Sequence, residues 1–140
     1  MSAGGNGSIV MLVVEDNPGD VLLFNEAVET SGTRATVHVV GDGMDALRFL
    51  RRHGPFADAP RPDVIVLDLN LPVKTGREVL ADMMADPQLR TIPVAVLTTS
   101  TSERCVCDAC PPTRCLYFTK TADFSELQDI VRKIASHANK

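Results

Sequence analysis

The stretch VIVLDLNLP (64–72) places a carboxylate, Asp68, at the end of the apolar run Val64 to Leu67. Taking an unpaired carboxylate out of water costs several kcal/mol, so the position needs a partner or a purpose. Four other polar residues end comparable runs. Glu15 and Asp16 follow IVMLVV (9–14), Thr98 follows VAVL (94–97), and Lys120 lies just beyond CLYF (115–118). Carboxylates brought together repel, and one of them would be held partly protonated unless a cation intervened. A hard divalent ion such as Mg²⁺ suits oxygen ligands, needs few carboxylates and keeps several waters. Beside it Asp68 becomes a nucleophile able to form an acyl phosphate, because the cation screens it from an incoming phosphoryl group. Phosphoryl transfer is chiefly positioning plus stabilisation of the equatorial oxygens. A hydroxyl from Thr98 and an ammonium from Lys120 are suitable donors for those oxygens. Taken singly, each of these residues has an ordinary reading as a solvated strand-end or loop residue; the combination carries the argument.

The positioning elements follow from periodicity. The continuous apolar runs at 9–14, 64–67 and 94–97 read as strands buried on both faces, with weaker ones at ATVHVV (35–40) and CLYF (115–118). Helical patterns lie between them. Asn17 and Pro18 read as an N-cap and first-turn proline, with Val21, Phe24 and Val28 facing inward. Asp42 caps a second helix with Leu47 and Leu50 inward, and the basic segment LRFLRRHG (47–54) completes its exposed C-terminal end, where cations suit the helix dipole. Thr75 and Glu78 form a capping box ahead of Val79, Leu80, Met83 and Met84. A fourth helical segment at 101–110 is cut short by Pro111 and Pro112. Asp123 and Glu126 resemble a further box, before the stripe Leu127, Ile130, Val131, Ile134 and Ala138. Strands alternating with helices predict an α/β fold: one doubly wound, five-stranded parallel sheet with helices on both faces. Ligands of such sheets bind beyond the carboxyl ends of the strands at a switch point. If the strand order is 2-1-3-4-5, Glu15, Asp16 and Asp68 converge there.

A chain of 140 residues with 44% hydrophobic and 23% charged residues fits one globular domain. We expect residues 1–8 to be a flexible N-terminal tail and 9–140 a single domain. The net charge of −4 offers no general attraction to nucleic acid or to an anionic membrane, and no apolar run approaches a membrane span. The start, MSAGGNGS, lacks the features of a signal peptide, so the expectation is a cytoplasmic protein with reduced cysteines.

With these residues in place, the chain resembles the receiver domain of bacterial two-component response regulators, a flavodoxin-like fold, from residue 9 to about 138. The segments RPDVIVLDLNLP, GREVLADMMADP, IPVAVLTTS and FTK are most similar to the stand-alone regulators partnered with phytochrome-type histidine kinases. The resemblance implies that Asp68 is the phosphoacceptor and that Asp16 and Asp68 bind Mg²⁺ directly. Glu15 would act through water, and the Asn70 backbone carbonyl would be a further ligand. Thr98 and Lys120 would hold phosphoryl oxygens. Tyr117 would be a switch aromatic that turns inward when Thr98 moves. The output surface would be the fourth helix, fifth strand and fifth helix, through which a homodimer is expected. Two departures stand out. Thr121 replaces the proline that usually follows the lysine, which predicts a looser loop, and CVCDACPPTRC (105–115) replaces an alanine-rich helix and glycine turn.

Three other classes compete. An aspartyl-nucleophile phosphatase wants Asp-x-Asp, but DLN puts Asn70, which cannot serve as a general acid, at the second position. A flavodoxin-like cofactor binder wants a Ser/Thr/Gly-rich first loop, whereas EDNPGD would repel phosphate without a metal. A receiver-like scaffold could instead be regulated by metal or redox chemistry at Cys105, Cys107, Cys110 and Cys115. The spacing C-x-C-x₂-C-x₄-C is not a common zinc signature, and structural roles as small core residues are the favoured reading of these thiols.

Overall fold

Alternation along each strand decides which layer a side chain joins. The computed structural model describes residues 8–69, 71, 73–98, 115–121 and 123–138, with the backbone alone at Thr98 and Cys115. In chain order the elements are β1 (Ile9–Val14), α1 (Pro18–Thr30), β2 (Ala35–Val40), α2 (Gly43–Arg51), a 3-10 turn (Gly54–Phe56), β3 (Val64–Asp68), α3 (Gly76–Ala85), β4 (Val94–Thr98), β5 (Cys115–Thr119) and α4 (Phe124–His137). The strands pair in parallel in the order β2-β1-β3-β4-β5, the order anticipated from the sequence. The fourth helical segment expected at 101–110 lies outside the described residues, so α4 is the helix expected as the fifth.

Each central strand feeds two cores. Leu12, Val14, Ile65, Leu67, Val94 and Val96 meet Ala46, Leu47, Val79, Leu80 and Met83 of α2 and α3. Met11, Val13, Val64, Val66, Ala95 and Leu97 meet Phe24, Ala27, Val28, Leu127, Val131 and Ile134 of α1 and α4. Burial on both faces is why these strands read as unbroken apolar runs. The buried face of α1 is Phe24, Ala27 and Val28; Val21, expected inward, is only half-buried.

The helix starts are fixed by their caps. Asn17 Oδ1 accepts from the amides of Gly19 (2.9 Å) and Asp20 (3.2 Å), and Asp42 Oδ1 accepts from Asp45 N–H at 2.8 Å. The Thr75–Glu78 box is reciprocal, at 2.9 and 3.2 Å. Asp123 accepts from Glu126 N–H, but Glu126 does not answer. Its carboxylate accepts from the Thr121 hydroxyl at 3.1 Å, so the second box expected from the sequence is only half formed.

Close packing fixes the segment after Asp68. Gly76 N–H donates to Leu69 O at 3.2 Å. A Cβ at Gly76 would overlap the Asp68 carbonyl oxygen and lie 2.7 Å from Leu69 Cα. Between these points Val73, 80% exposed, takes φ 66°, a left-handed conformation that β-branched residues resist. Opposite outcomes are therefore expected within one loop. Gly76→Ala should destabilise by about 1–3 kcal/mol, and Val73→Asn should stabilise by about 1 kcal/mol. Urea unfolding of the two variants checks both signs.

Candidate functional site

The strand alternation that sorts the core also sorts the polar residues beyond it. Met11 and Val13 lead to Glu15, Val64 and Val66 to Asp68, and Phe118 to Lys120, all on the layer shared with α1 and α4. Glu15 and Asp68 are buried, whereas Asp16 is exposed. Because β1 and β3 are neighbours, one carboxylate oxygen from each of Glu15, Asp16 and Asp68 lies within 4.8 Å of the others. Three oxygen donors of this kind, one of them open to solvent, fit a hard divalent cation that retains water.

Lys120 crosses towards this cluster. Its Nζ donates to Glu15 Oε1 at 2.8 Å and to Asp68 Oδ2 at 3.1 Å. A further partner, Asp20 Oδ2 at 3.1 Å, comes from the first turn of α1. The other oxygen of Glu15 accepts from Asn17 N–H at 3.1 Å, which ties the cluster to the α1 cap. Burial raises the Glu15 carboxyl above its ordinary range. Lys120 and the Asn17 amide pull it back, and the Asp68 charge adds to the rise. Burial also works against the Lys120 charge, but hydrogen bonds to Glu15, Asp20 and Asp68 outweigh it and hold the ammonium's pKa above the ordinary lysine value.

The remaining sequence candidates are placed as follows. Thr98 closes β4, in register with Thr119, one residue beyond the Leu97 that pairs with Asp68. Tyr117 pairs with Val96 and is half-buried against the α2–α3 core. Asn70, Cys105, Cys107 and Cys110 lie outside the described residues, and Cys115 opens β5. Thr121 does not leave the lysine loop loose. Its hydroxyl donates to Glu126 and accepts from Asp123 N–H at 3.0 Å, fastening the loop to the start of α4. The peptide bonds of the described residues are all trans. Asp20 was not singled out from the sequence; its one available signal was an acidic residue in the first turn behind Pro18.

Lys120 stabilises the fold fully below about pH 10.5, and that contribution is lost as the pH rises through its raised folded value. Glu15, also raised, favours the fold below about pH 4.5 and loses this as the pH rises through its own folded value, so its charge opposes folding at neutral pH. Lys120→Met leaves two buried carboxylates without their cation and should cost about 2–3 kcal/mol at neutral pH, somewhat below the cost of breaking a fully buried pair. The deficit relative to the unaltered chain should shrink as the pH falls and Glu15 takes up a proton. Urea unfolding of both proteins across that range is the check.

Comparisons with known proteins fit this geometry. Residues 11–132 match the family model described as the response regulator receiver domain. The response regulator Rcp1 of Synechocystis sp. is 40% identical over 136 residues, covering 97% of this chain and 92% of Rcp1. The crystal structure of the phosphorylated cyanobacterial phytochrome response regulator RcpA superposes with a TM-score of 0.79 at 45% identity, over 91% of each chain. The Mn²⁺-bound form of Rcp1 does so with a TM-score of 0.78, covering 91% of this chain and 92% of that one. A receiver domain of a Pseudomonas aeruginosa sensor histidine kinase, with magnesium coordinated in its active-site cleft, is 27% identical with a TM-score of 0.71, over 92% and 98% of the two chains.

Proposed function

The chain belongs to the response regulator receiver domain family, whose work is phosphoacceptor signalling, and from that premise we propose that Asp68 is its phosphoacceptor. The observation that carries the assignment is the burial of Asp68 at the end of β3, with two carboxylates within 4.8 Å and the Lys120 ammonium at 3.1 Å. A lone carboxylate would not be stable there; one that alternates between a cation-bound and a phosphorylated form has reason to be.

An Asp68 oxygen attacks phosphorus. The new O–P bond forms as the P–N bond of a donor phosphohistidine breaks, and the nitrogen keeps the bonding pair and takes up a proton. Lys120 and Thr98 meet the phosphoryl oxygens. Glu15, Asp16 and Asp68 would hold Mg²⁺, with Glu15 acting through water and the Asn70 carbonyl completing the protein ligands. When bound, the ion supplies the positive charge that lets an anionic nucleophile approach an anionic phosphoryl group. The relatives named above, one with bound Mn²⁺ and one with magnesium, support this ion class. The chain acts as a switch that is phosphorylated and whose Asp68 acyl phosphate water slowly hydrolyses, regenerating the carboxylate and releasing inorganic phosphate, not as a turnover catalyst. Tyr117, beside the strand that Thr98 closes, is the candidate switch residue.

The partner is a sensor histidine kinase, of phytochrome type by the company of its relatives. Leu22 and Leu23 lie exposed on α1. Leu23 also lines a cleft, with Phe24, Leu127 and Ile130, that includes Asp20, Asp68 and Lys120, which supports docking of an apolar partner surface at the site. Among the described residues no helix is long and apolar enough to cross a membrane, and a cytoplasmic setting agrees with a cytoplasmic kinase domain as donor. Self-association through the surface of the fourth helical segment, β5 and the last helix belongs to the same proposal and is read from sedimentation with and without phosphorylation.

Incubation with Mg²⁺ and acetyl phosphate should give an acid-stable, base-labile adduct at Asp68, located by intact mass and peptide mapping. Asp68→Asn should abolish it; full labelling of that variant elsewhere would sink the assignment. Mg²⁺ should also raise the Tm of the unphosphorylated protein. At about 100-fold over its Kd the ion adds about 2.7 kcal/mol, and Asp16→Asn should shrink that gain. A Tm indifferent to saturating Mg²⁺ would speak against the metal site.

A further inference from the structure

An ammonium has three N–H donors, and in this structure Lys120 directs them to three carboxylates, Glu15, Asp20 and Asp68. None is left for a fourth acceptor. If Asp68 carries a phosphoryl group that Lys120 must meet, one of these bonds has to be given up. The three partners are not equivalent. The side chains of Glu15 and Asp68 are 6% and 5% exposed, whereas that of Asp20 is 42% exposed. A buried carboxylate that loses its cation stays unsolvated, but Asp20 returns to water at little expense. Its place is secured without Lys120. The Asp20 amide donates to Asn17 Oδ1 at 3.2 Å, and the N-terminus of α1 favours a negative side chain in its first turn.

We propose that Asp20 is a competing partner that tunes phosphoryl acceptance through Lys120: at rest it takes one of the three ammonium donors, and it is the partner exchanged for the phosphoryl group. The inference rests on the reading that Asp68 is phosphorylated. Glu15 and Asp68 keep the lysine directed at the site whether or not Asp20 holds it. What Asp20 adds is competition: its bond must be exchanged before Lys120 reaches the phosphoryl oxygens, and it sets part of the barrier to labelling. The chemistry is otherwise unchanged. The Asp68 oxygen bonds to phosphorus and, with acetyl phosphate as donor, the P–O bond breaks and acetate leaves with the electron pair.

Asp20→Asn keeps the size and cap-proximal position of the side chain while weakening its hold on the ammonium. Two measurements on the full chain with Mg²⁺ test the proposal. First, labelling of Asp68 by acetyl phosphate should be about threefold faster or more in Asp20→Asn, the scale of a half-exposed ion pair. Second, the chain has lysine at positions 74, 120, 133 and 140, so the Lys120 signal is assignable after selective ¹³C labelling of lysine ε carbons. At rest that signal should differ between the two proteins. With beryllofluoride, a stable mimic of the acyl phosphate, it should coincide, because Asp20 has been released in both. Both results are required. An unchanged or slower rate overturns the exchange, and so does a Lys120 signal that still differs with the mimic bound, which would mean that Asp20 holds the lysine throughout. If the unaltered chain is not labelled at Asp68, the phosphoacceptor reading fails first and the role of Asp20 fails with it.

Discussion

One lysine ammonium shared among three carboxylates is the interaction on which the rest of the site depends. Glu15 and Asp68 stand at the ends of strands whose other residues are almost wholly apolar. Without Lys120 they would face each other as like charges in a poorly solvated place, with no cation to offset the repulsion. The fold supplies the cation from a distant part of the chain. β5 runs at the far edge of the sheet, separated from β1 by the two strands β3 and β4, and the length of a lysine side chain covers the remainder. The two shifts have different origins: burial raises the Glu15 carboxyl, which Lys120 partly pulls back, whereas the carboxylate hydrogen bonds raise the Lys120 ammonium against its burial.

Backbone geometry serves the same end. A parallel sheet places the carboxyl ends of its strands along one edge, so residues at the ends of β1, β3 and β5 meet there. The loop after Asp68 is then pressed close to the sheet. Gly76 approaches the Asp68 carbonyl more closely than any residue with a Cβ could, and Gly43 packs against the backbone of Lys74, where a Cβ would lie 2.8 Å from the carbonyl carbon. The left-handed conformation of Val73 belongs to the same tight turn. Strain held at the rim of a functional site persists only where the surroundings fix it, and two glycine contacts together with a reciprocal capping box do so here.

What was legible in the sequence follows from the range of the interactions involved. Strands buried on both faces write themselves as apolar runs, and caps act over three residues, so β1, β3, β4 and the starts of α1, α2 and α3 could be read directly. The convergence of Glu15, Asp16 and Asp68 followed from one topological assumption. Less visible was α1, where Val21, Leu22, Leu23 and Phe24 are consecutive and apolar. Periodicity alone does not choose among them, and the structure buries Phe24 while leaving Leu22 65% exposed. The box at Asp123 misled because Thr121 competes for Glu126, a side-chain choice that no spacing rule anticipates. Asp20 was out of reach for a different reason. Its partner lies 100 residues away, and nothing local distinguishes it from an ordinary acidic first-turn residue.

Four carboxylates of nearly identical intrinsic chemistry take up different duties here, and exposure assigns them. Asp68, buried and at a strand end, is held where a cation can reach it and bulk water cannot readily compete, which suits a nucleophile. Glu15, equally buried, shares the lysine and accepts the Asn17 amide, so its two oxygens are committed to organising the cluster. That commitment agrees with its expected contact to a metal through water. Asp16 faces solvent within reach of both, the place from which a hydrated ion would be taken up. Asp20 lies between these extremes. It is near enough to bind the ammonium and wet enough to let it go, because the free energy of an ion pair falls steeply as water gains access to it. A switch needs an interaction that is formed in one state and dispensable in the other. A fully buried pair would be too costly to break and a fully exposed one too weak to matter. The half-exposed bond between Lys120 and Asp20 is the member of the cluster with the right strength to be exchanged.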